Sequence, residues 1–241
     1  FAVASPYVRN WDFVAAQRVT RFIANSNYVA SRISHYYGRQ SSVIYPPIDT
    51  EFGHIADTVE DYYLAAGRLV PYKKTELIIQ ACNRLGRRLR ISGTGPDMGR
   101  LRSIAGPTVE FMGALNNQDL WQTYAHARAL LFAAEEDFGM VPLESQACGR
   151  PVIAYGKGGA LETVRAANHP THSNAVPPNE VTGLFFFEQT PEAVSEAILA
   201  FEAAEASYTP KNIQAHARQF DIAHFMDRIR KFLAPWQPGP R

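Results

Sequence analysis

Cysteine is scarce. The 241 residues contain two, Cys82 and Cys148, too few for a disulfide framework. Each sits within an apolar helical pattern, so buried free thiols in a reducing compartment are expected, and with them a cytoplasmic location. No run of eighteen apolar residues occurs, so no transmembrane helix is expected. No signal-peptide pattern is visible, although a chain that opens at Phe1 rather than Met could have lost a leader. Charge of one sign is also missing: the net charge is +1, which argues against nucleic acid or a strongly anionic membrane surface as partner. The chain lacks Asp-x-Asp, so a carboxylate-held divalent metal has no visible anchor. It lacks Gly-x-Ser-x-Gly, which removes the common serine hydrolase reading. Ser92-Gly93-Thr94-Gly95-Pro96 falls short of the dinucleotide fingerprint, because Met98 stands where the third glycine belongs. His169 and His172 lie three apart, without a cysteine or carboxylate cluster beside them, and read as a surface loop, not a metal site.

What is present is ordinary globular composition, 46% hydrophobic and 20% charged, enough for a sizeable core. Residues 1–50 read as helix, strand, helix, strand: helix over 8–17, strand over 21–24, helix over 28–37, strand over 42–45. Such a two-strand unit cannot bury both faces of a parallel sheet, so it is expected to be the end of a larger lobe whose earlier part is absent. Residues 51–61 are polar and irregular and suit a linker. From Tyr62 a regular alternation begins, with strands expected over 62–66, 88–92, 108–112, 129–133, 151–155 and 183–187. Helices are expected between them, over 75–84, 98–105, 118–127, 141–148 and 160–164, and again at 191–206, 211–219 and 223–233. Alternation at this spacing predicts an α/β fold, a Rossmann-like parallel sheet sandwiched by helices. The stretch 166–182, rich in Asn, His and Pro, is expected to be a loop insertion.

The chemistry concentrates at strand ends. Gly67-Arg68-Leu69-Val70-Pro71-Tyr72-Lys73-Lys74 follows the first strand of the larger unit, and cations there, beside a helix amino terminus, suit a diphosphate. Taken alone, it reads better as a solvated basic turn. Met112-Gly113-Ala114-Leu115 ends the third strand, either as an apolar edge for a flat base or as turn and core packing. Glu136 and Glu144, with seven residues between them, flank a strand-turn-helix in which Gly139 permits close approach of a ligand. The backbone N–H groups of Phe138, Gly139, Met140 and Val141 point into the same space. A carboxylate in this position is either a dipole-complementing cap or an acceptor for vicinal hydroxyls.

The ordered set Glu136-x7-Glu144 within Glu-Asp-Phe-Gly-Met-Val-Pro-Leu-Glu-Ser-Gln-Ala-Cys-Gly-Arg-Pro-Val-Ile-Ala resembles the signature of retaining glycosyltransferases of family 4, which have the GT-B fold. The 67–73 segment is similar to that family's phosphate-binding turn. Gly158-Gly159-Ala160-Leu161-Glu162, Thr182-Gly183-Leu184-Phe185-Phe186, Ile23-Ala24-Asn25-Ser26 and Val43-Ile44-Tyr45-Pro46-Pro47-Ile48-Asp49 are similar to its other motifs. The resemblance implies a donor lobe over 62–220 that binds a nucleotide diphosphate sugar without a metal or other cofactor. GDP-mannose is favoured over UDP-glucose, because the wording is most like mannosyltransferases. Arg68 and Lys73 would hold the diphosphate, with Glu136 and the 138–140 backbone on the sugar. Glu144 would take the ribose, and Met112 and Leu115 would border the base. Residues 221–241 would form a last helix crossing toward the first lobe. The acceptor, a carbohydrate or a lipid-linked one, is not specified, and peripheral membrane contact by a fuller protein stays open. With most of the acceptor lobe missing, weak donor binding, little transfer and self-association through exposed strand edges are expected. The alternatives are a GT-B nucleotide-sugar epimerase, which a hydrolytic histidine constellation would favour, and a non-catalytic sugar-nucleotide-binding module.

Overall fold

The computed structural model describes residues 4–168 and 176–236. His169 and His172 lie outside them. The first unit comprises α1 (Ala4–Gln17), β1 (Phe22–Ala24), α2 (Asn27–Tyr37) and β2 (Ser41–Val43), with β1 and β2 paired in parallel. Ser26 caps α2 by accepting from the Val29 N–H, and Gly38 ends it at φ +63°, where a side chain would be strained. β1 and β2 have no further strand neighbour among the described residues. Tyr7, Trp11 and Phe13 of α1 remain exposed.

The larger unit is a six-stranded parallel sheet in the order β5-β4-β3-β6-β7-β8. Its strands are β3 (Tyr63–Ala66), β4 (Leu89–Ser92), β5 (Val109–Gly113), β6 (Ala129–Phe132), β7 (Val152–Tyr155) and β8 (Gly183–Phe186). Between and after them run α3 (Thr75–Leu85), α4 (Met98–Ile104), α5 (Asn117–His126), α6 (Met140–Ala147), α7 (Ala160–Thr163), α8 (Pro191–Ala204), α9 (Pro210–Ala217) and α10 (Ile222–Leu233). The parallel α/β sandwich expected from the alternation is present, with most boundaries within one or two residues. In β3, β6, β7 and β8 the period-two pattern divides the side chains between two cores, while β4 and β5 contribute apolar side chains to only one of them. Leu64, Leu130, Phe132, Val152 and Phe185 pack on one face with Trp121, Tyr124 and Leu143. Tyr63, Ala65, Ile91, Leu131 and Ile153 pack on the other with Ile79, Cys82, Leu101, Ile198 and Phe201. Each fully buried large side chain contributes roughly 1.5–3 kcal/mol. Both cysteines are buried and free, and burial pushes each thiol up to about 12.

Apart from a 3₁₀ turn over Thr50–Phe52, residues 51–61 are irregular, yet they are held against the larger unit. A Cβ on Gly53 would lie 2.6 Å from the Ala147 carbonyl oxygen, and the Glu60 N–H donates to the His126 carbonyl at 2.8 Å. The described ends of the 166–182 stretch also pack: Asn168 brackets Phe185 with hydrogen bonds of 2.8 and 3.2 Å to its backbone. α10 starts at a bridge between Asp221 and Ile48, and its Arg228 guanidinium stands 5.9 Å from the Tyr45 ring of the first unit. The strand order reverses between β3 and β6. Ligands of open α/β sheets settle in the crevice at the carboxyl ends of two such strands.

Candidate active site

Both singled-out turns open into that crevice. After β3, Gly67 takes φ +124°, and its N–H donates to the Ser92 carbonyl at 2.9 Å. Gly93 and Gly95 are glycine for a packing reason. Added Cβ atoms would fall 1.9 Å from the Gly67 carbonyl oxygen and 2.1 Å from that of Leu69. The Gly-x-Gly is therefore a close contact between neighbouring turns, which brings both to one cleft. Pro71–Lys73 forms a 3₁₀ turn, and Lys74 adopts φ +55° as it enters α3. Arg68 is exposed and makes no ion pair among the described residues.

After β6, Gly139 at φ +90° opens α6 without a side-chain cap, and no acidic residue stands in its first turn. The amino end of α6 therefore presents N–H groups and a partial positive charge to the crevice. Gly158 and Gly159, in the turn after β7, support this loop. The Gly159 N–H donates to the Glu136 carbonyl at 2.7 Å, and a Cβ on Gly159 would lie 2.2 Å from the Phe138 Cα.

The side chains then meet across the switch point. Lys73 Nζ forms an ion pair with Glu136 Oε1, both side chains about 15% exposed (15% and 16%). Arg68, Gly67, the 92–95 turn, Ala114, Leu115, Leu120, Tyr124, Val141 and Glu144 line one cleft of about 510 Å³. Glu144 is half-buried. Desolvation raises its carboxyl pKa, which the hydrogen bond from Tyr124 and the positive charge of Lys73 partly counter. A second carboxylate oxygen remains for a vicinal diol.

Of the residues singled out from the sequence, Arg68, Leu115, Val141 and Glu144 line one cleft, while Lys73, which shares a small adjoining cavity with Arg68, is ion-paired to Glu136. Met112 stands differently: it is half-buried within β5, and Ala114 and Leu115 are the residues of that turn that line the cleft. The Phe138 ring turns into the core, stacked on Tyr45 at 5.3 Å, so only its backbone is offered to a ligand. Met140 is exposed. Tyr124 was missed, because a phenol on an apolar helix face carries no signal of its partner. So were Tyr28 and Arg32, whose partners are more than 100 residues away. Glu162, read only as part of a motif, accepts four hydrogen bonds from the first unit: Asn27 N–H at 2.8 Å, Asn27 Nδ2 at 2.7 Å, Tyr28 N–H at 2.9 Å and Tyr45 Oη at 2.9 Å. Among the described residues no group of three or more His, Cys, Asp or Glu is arranged to hold a metal.

The family model for glycosyl transferases group 1 matches residues 49–220. The chain belongs to that family. A GDP-mannose-dependent monoacylated alpha-(1-6)-phosphatidylinositol monomannoside mannosyltransferase of Corynebacterium glutamicum is 39% identical over 116 residues, 42% of this chain and 30% of its own length. A D-inositol 3-phosphate glycosyltransferase of Segniliparus rotundus is 27% identical over 85% of this chain and 48% of its own. The chain thus spans half or less of these relatives. Among solved structures, Thermosynechococcus elongatus sucrose-phosphate synthase superposes with TM-score 0.78 at 20% identity, covering 95% of this chain and 62% of that one. Anabaena HepE in complex with UDP-glucose gives TM-score 0.78 at 22% identity, over 94% and 67%. The fold of this group 1 glycosyl transferase chain is that of the GT-B enzymes.

Proposed function

We propose that the chain is the donor-binding part of a retaining, family 4 hexosyltransferase that takes a nucleotide diphosphate sugar. The observation that carries this reading is the convergence at the β3–β6 switch point of Arg68 and Glu144, which line one cleft, with the amino end of α6 and with Lys73, which shares a small adjoining cavity with Arg68 and is ion-paired to Glu136. The cleft beyond Arg68 suits a nucleoside, with Glu144 accepting from the ribose and Leu115 beside the base. Arg68 and Lys73 neutralise the diphosphate, and Glu136 with the 138–140 backbone orients the hexose. As the glycosidic bond breaks, negative charge grows on the departing diphosphate. Two fixed cations and the α6 dipole stabilise it at that moment, which lowers the barrier without calling on a metal.

GDP-mannose remains the favoured donor, supported by the GDP-mannose-dependent mannosyltransferases among the relatives; UDP-glucose is the competitor, supported by the HepE complexes. The acceptor is a carbohydrate or a lipid-linked carbohydrate, met in the cytoplasm, where the two buried thiols stay reduced. Among the described residues no helix is long and apolar enough to cross a membrane. Calorimetric titration of the 241-residue chain with GDP, UDP, GDP-mannose and UDP-glucose tests the reading. Saturable binding of one pair, lost in Glu144→Ala, is expected. Absence of binding by all four, or unaltered binding after Glu144→Ala, would overturn it.

A further inference from the structure

In the loop that carries Glu136, the side chains of Glu136 and of its two neighbours meet different partners. Glu136 points to Lys73. Its two neighbours meet α2 of the first unit. Tyr28 Oη donates to Glu135 Oε1 at 2.6 Å, and Arg32 Nη1 pairs with Asp137 Oδ1 at 2.7 Å. Tyr28 and Arg32 are one helical turn apart, so one face of α2 spans the loop on both sides of Glu136. The helix is itself fixed at its start by the four hydrogen bonds that Glu162 accepts from Asn27, Tyr28 and Tyr45. Glu162 belongs to α7, which follows the Gly158-Gly159 turn that supports the Glu136 carbonyl. The three contacts close a circuit from α2 to the 135–137 loop, to the 158–159 turn, and back to α2.

As pair energies these contacts are modest. Arg32 and Asp137 are 51% and 55% exposed, and exposed pairs contribute at most about 1 kcal/mol. Their consequence is geometric. A carboxylate that must meet particular hydroxyls loses its effect when displaced by about 1 Å, and the Glu136 side chain is itself ion-paired only to Lys73 among the described residues, while its loop is held through Glu135, which also pairs with Lys157 at 3.1 Å, and through Asp137. We propose that Tyr28 and Arg32 are positioning residues for Glu136. By gripping Glu135 and Asp137 they set where the sugar-binding carboxylate stands, so that seating of the first unit is coupled to recognition of the hexose and not of the nucleotide. This rests on the donor-site reading given above.

The test separates the two halves of the donor. Calorimetry on the full chain compares GDP with GDP-mannose, and UDP with UDP-glucose, in wild type, Tyr28→Phe/Arg32→Gln and Asp137→Asn. The expected result is nucleotide affinity unchanged within about twofold, while the extra affinity contributed by the hexose falls by about fivefold or more, the scale of one lost hydrogen bond. Hydrogen exchange at the Phe138, Gly139 and Met140 amides should rise in parallel. An unchanged hexose contribution in both variants overturns the inference, as does a hexose that adds nothing in wild type. Joint loss of nucleotide and hexose binding also overturns it, since it marks a merely structural role. Wild type that binds no nucleotide at all instead sinks the donor-site reading itself, and this inference with it.

Discussion

Tyr124, fully buried on α5, donates its phenolic proton to Oε2 of Glu144 at 2.7 Å. The bond joins a core residue to the carboxylate that lines the cleft proposed to take the nucleoside. It orients Glu144 and keeps its carboxyl from rising further under the desolvation that dominates its environment.

A pH dependence follows from that bond. In the proposed role Glu144 accepts from a diol most strongly when ionised, and its pKa stands above the ordinary carboxylate value. Nucleotide binding should therefore weaken on acidification at a higher pH than an unperturbed glutamate would impose. Tyr124→Phe removes a contribution that lowers the pKa, so the midpoint of binding against pH should move upward, with affinity at neutral pH reduced about fivefold. Titration of GDP or UDP between pH 5 and 8, a range of roughly three units about physiological pH, checks both. An unmoved midpoint would contradict the role given to Tyr124.

Arg68 and Lys73 should separate by phosphate count. Arg68 is exposed and unpaired among the described residues, so Arg68→Ala should leave folding intact and cost a nucleoside diphosphate about tenfold in affinity, the loss of one charge-assisted contact. The nucleoside alone should lose little. Lys73→Ala removes the partner of Glu136, whose side chain is 16% exposed, and leaves that carboxylate short of its charge. It should lower thermal stability as well as affinity, and Lys73→Ala/Glu136→Gln should recover part of the stability but none of the affinity. Thermal melts beside calorimetry decide it.

The architecture was legible in the sequence because strand runs such as Ala129–Phe132 are apolar on both faces, as a parallel sheet requires. The two carboxylates were legible because strand, glycine, helix and their spacing are local properties. What makes them a site is not local. The switch point depends on β6 pairing with β3, 66 residues apart in register at Tyr63 and Ala129, and no periodicity encodes that. Met112 shows the same limit: which of Met112, Ala114 and Leu115 reach the cleft is set by Gly113 at φ +70° and the register shift between β4 and β5. The contacts of Tyr28, Arg32 and Glu162 join distant segments through ordinary polar residues.

His216 gives the stability a pH limit. It is buried on α9, with Nε2 3.1 Å from the Thr163 carbonyl and Nδ1 without a partner among the described residues. Burial, reinforced by the charge of Arg165, pushes its pKa down to about 4 from 6.5. The folded state thus favours the neutral ring. The contribution is fully present above pH 6.5 and is lost as pH falls toward 4, on the order of 3 kcal/mol in total. Melting temperature should decline through that window, and His216→Phe should flatten the decline. Equal slopes in the two proteins would assign the acid loss to other groups.

Gly158 and Gly159 pack behind Glu136, the carboxylate proposed to meet the sugar. A methyl group at Gly159 would lie 2.2 Å from the Phe138 Cα and 2.4 Å from its carbonyl oxygen, both backbone atoms that cannot rotate aside. Gly159 has φ −66°, so alanine meets no strain from its own backbone and the effect isolates the collision. Relief requires the 136–138 loop to move away from α7, against the hydrogen bond from the Gly159 N–H to the Glu136 carbonyl. Overpacking of this kind costs about 1–3 kcal/mol. Gly159→Ala should therefore lower the melting temperature, and by displacing Glu136 it should weaken nucleotide-sugar binding more than nucleotide binding. Gly99 offers the control: nothing lies within 4 Å of an added Cβ there, so Gly99→Ala on α4 should raise stability slightly, since alanine is favoured in helices by up to about 1 kcal/mol. If both alanines behaved alike, the close approach of α7 to the Glu136 loop would not be what holds the sugar carboxylate in place.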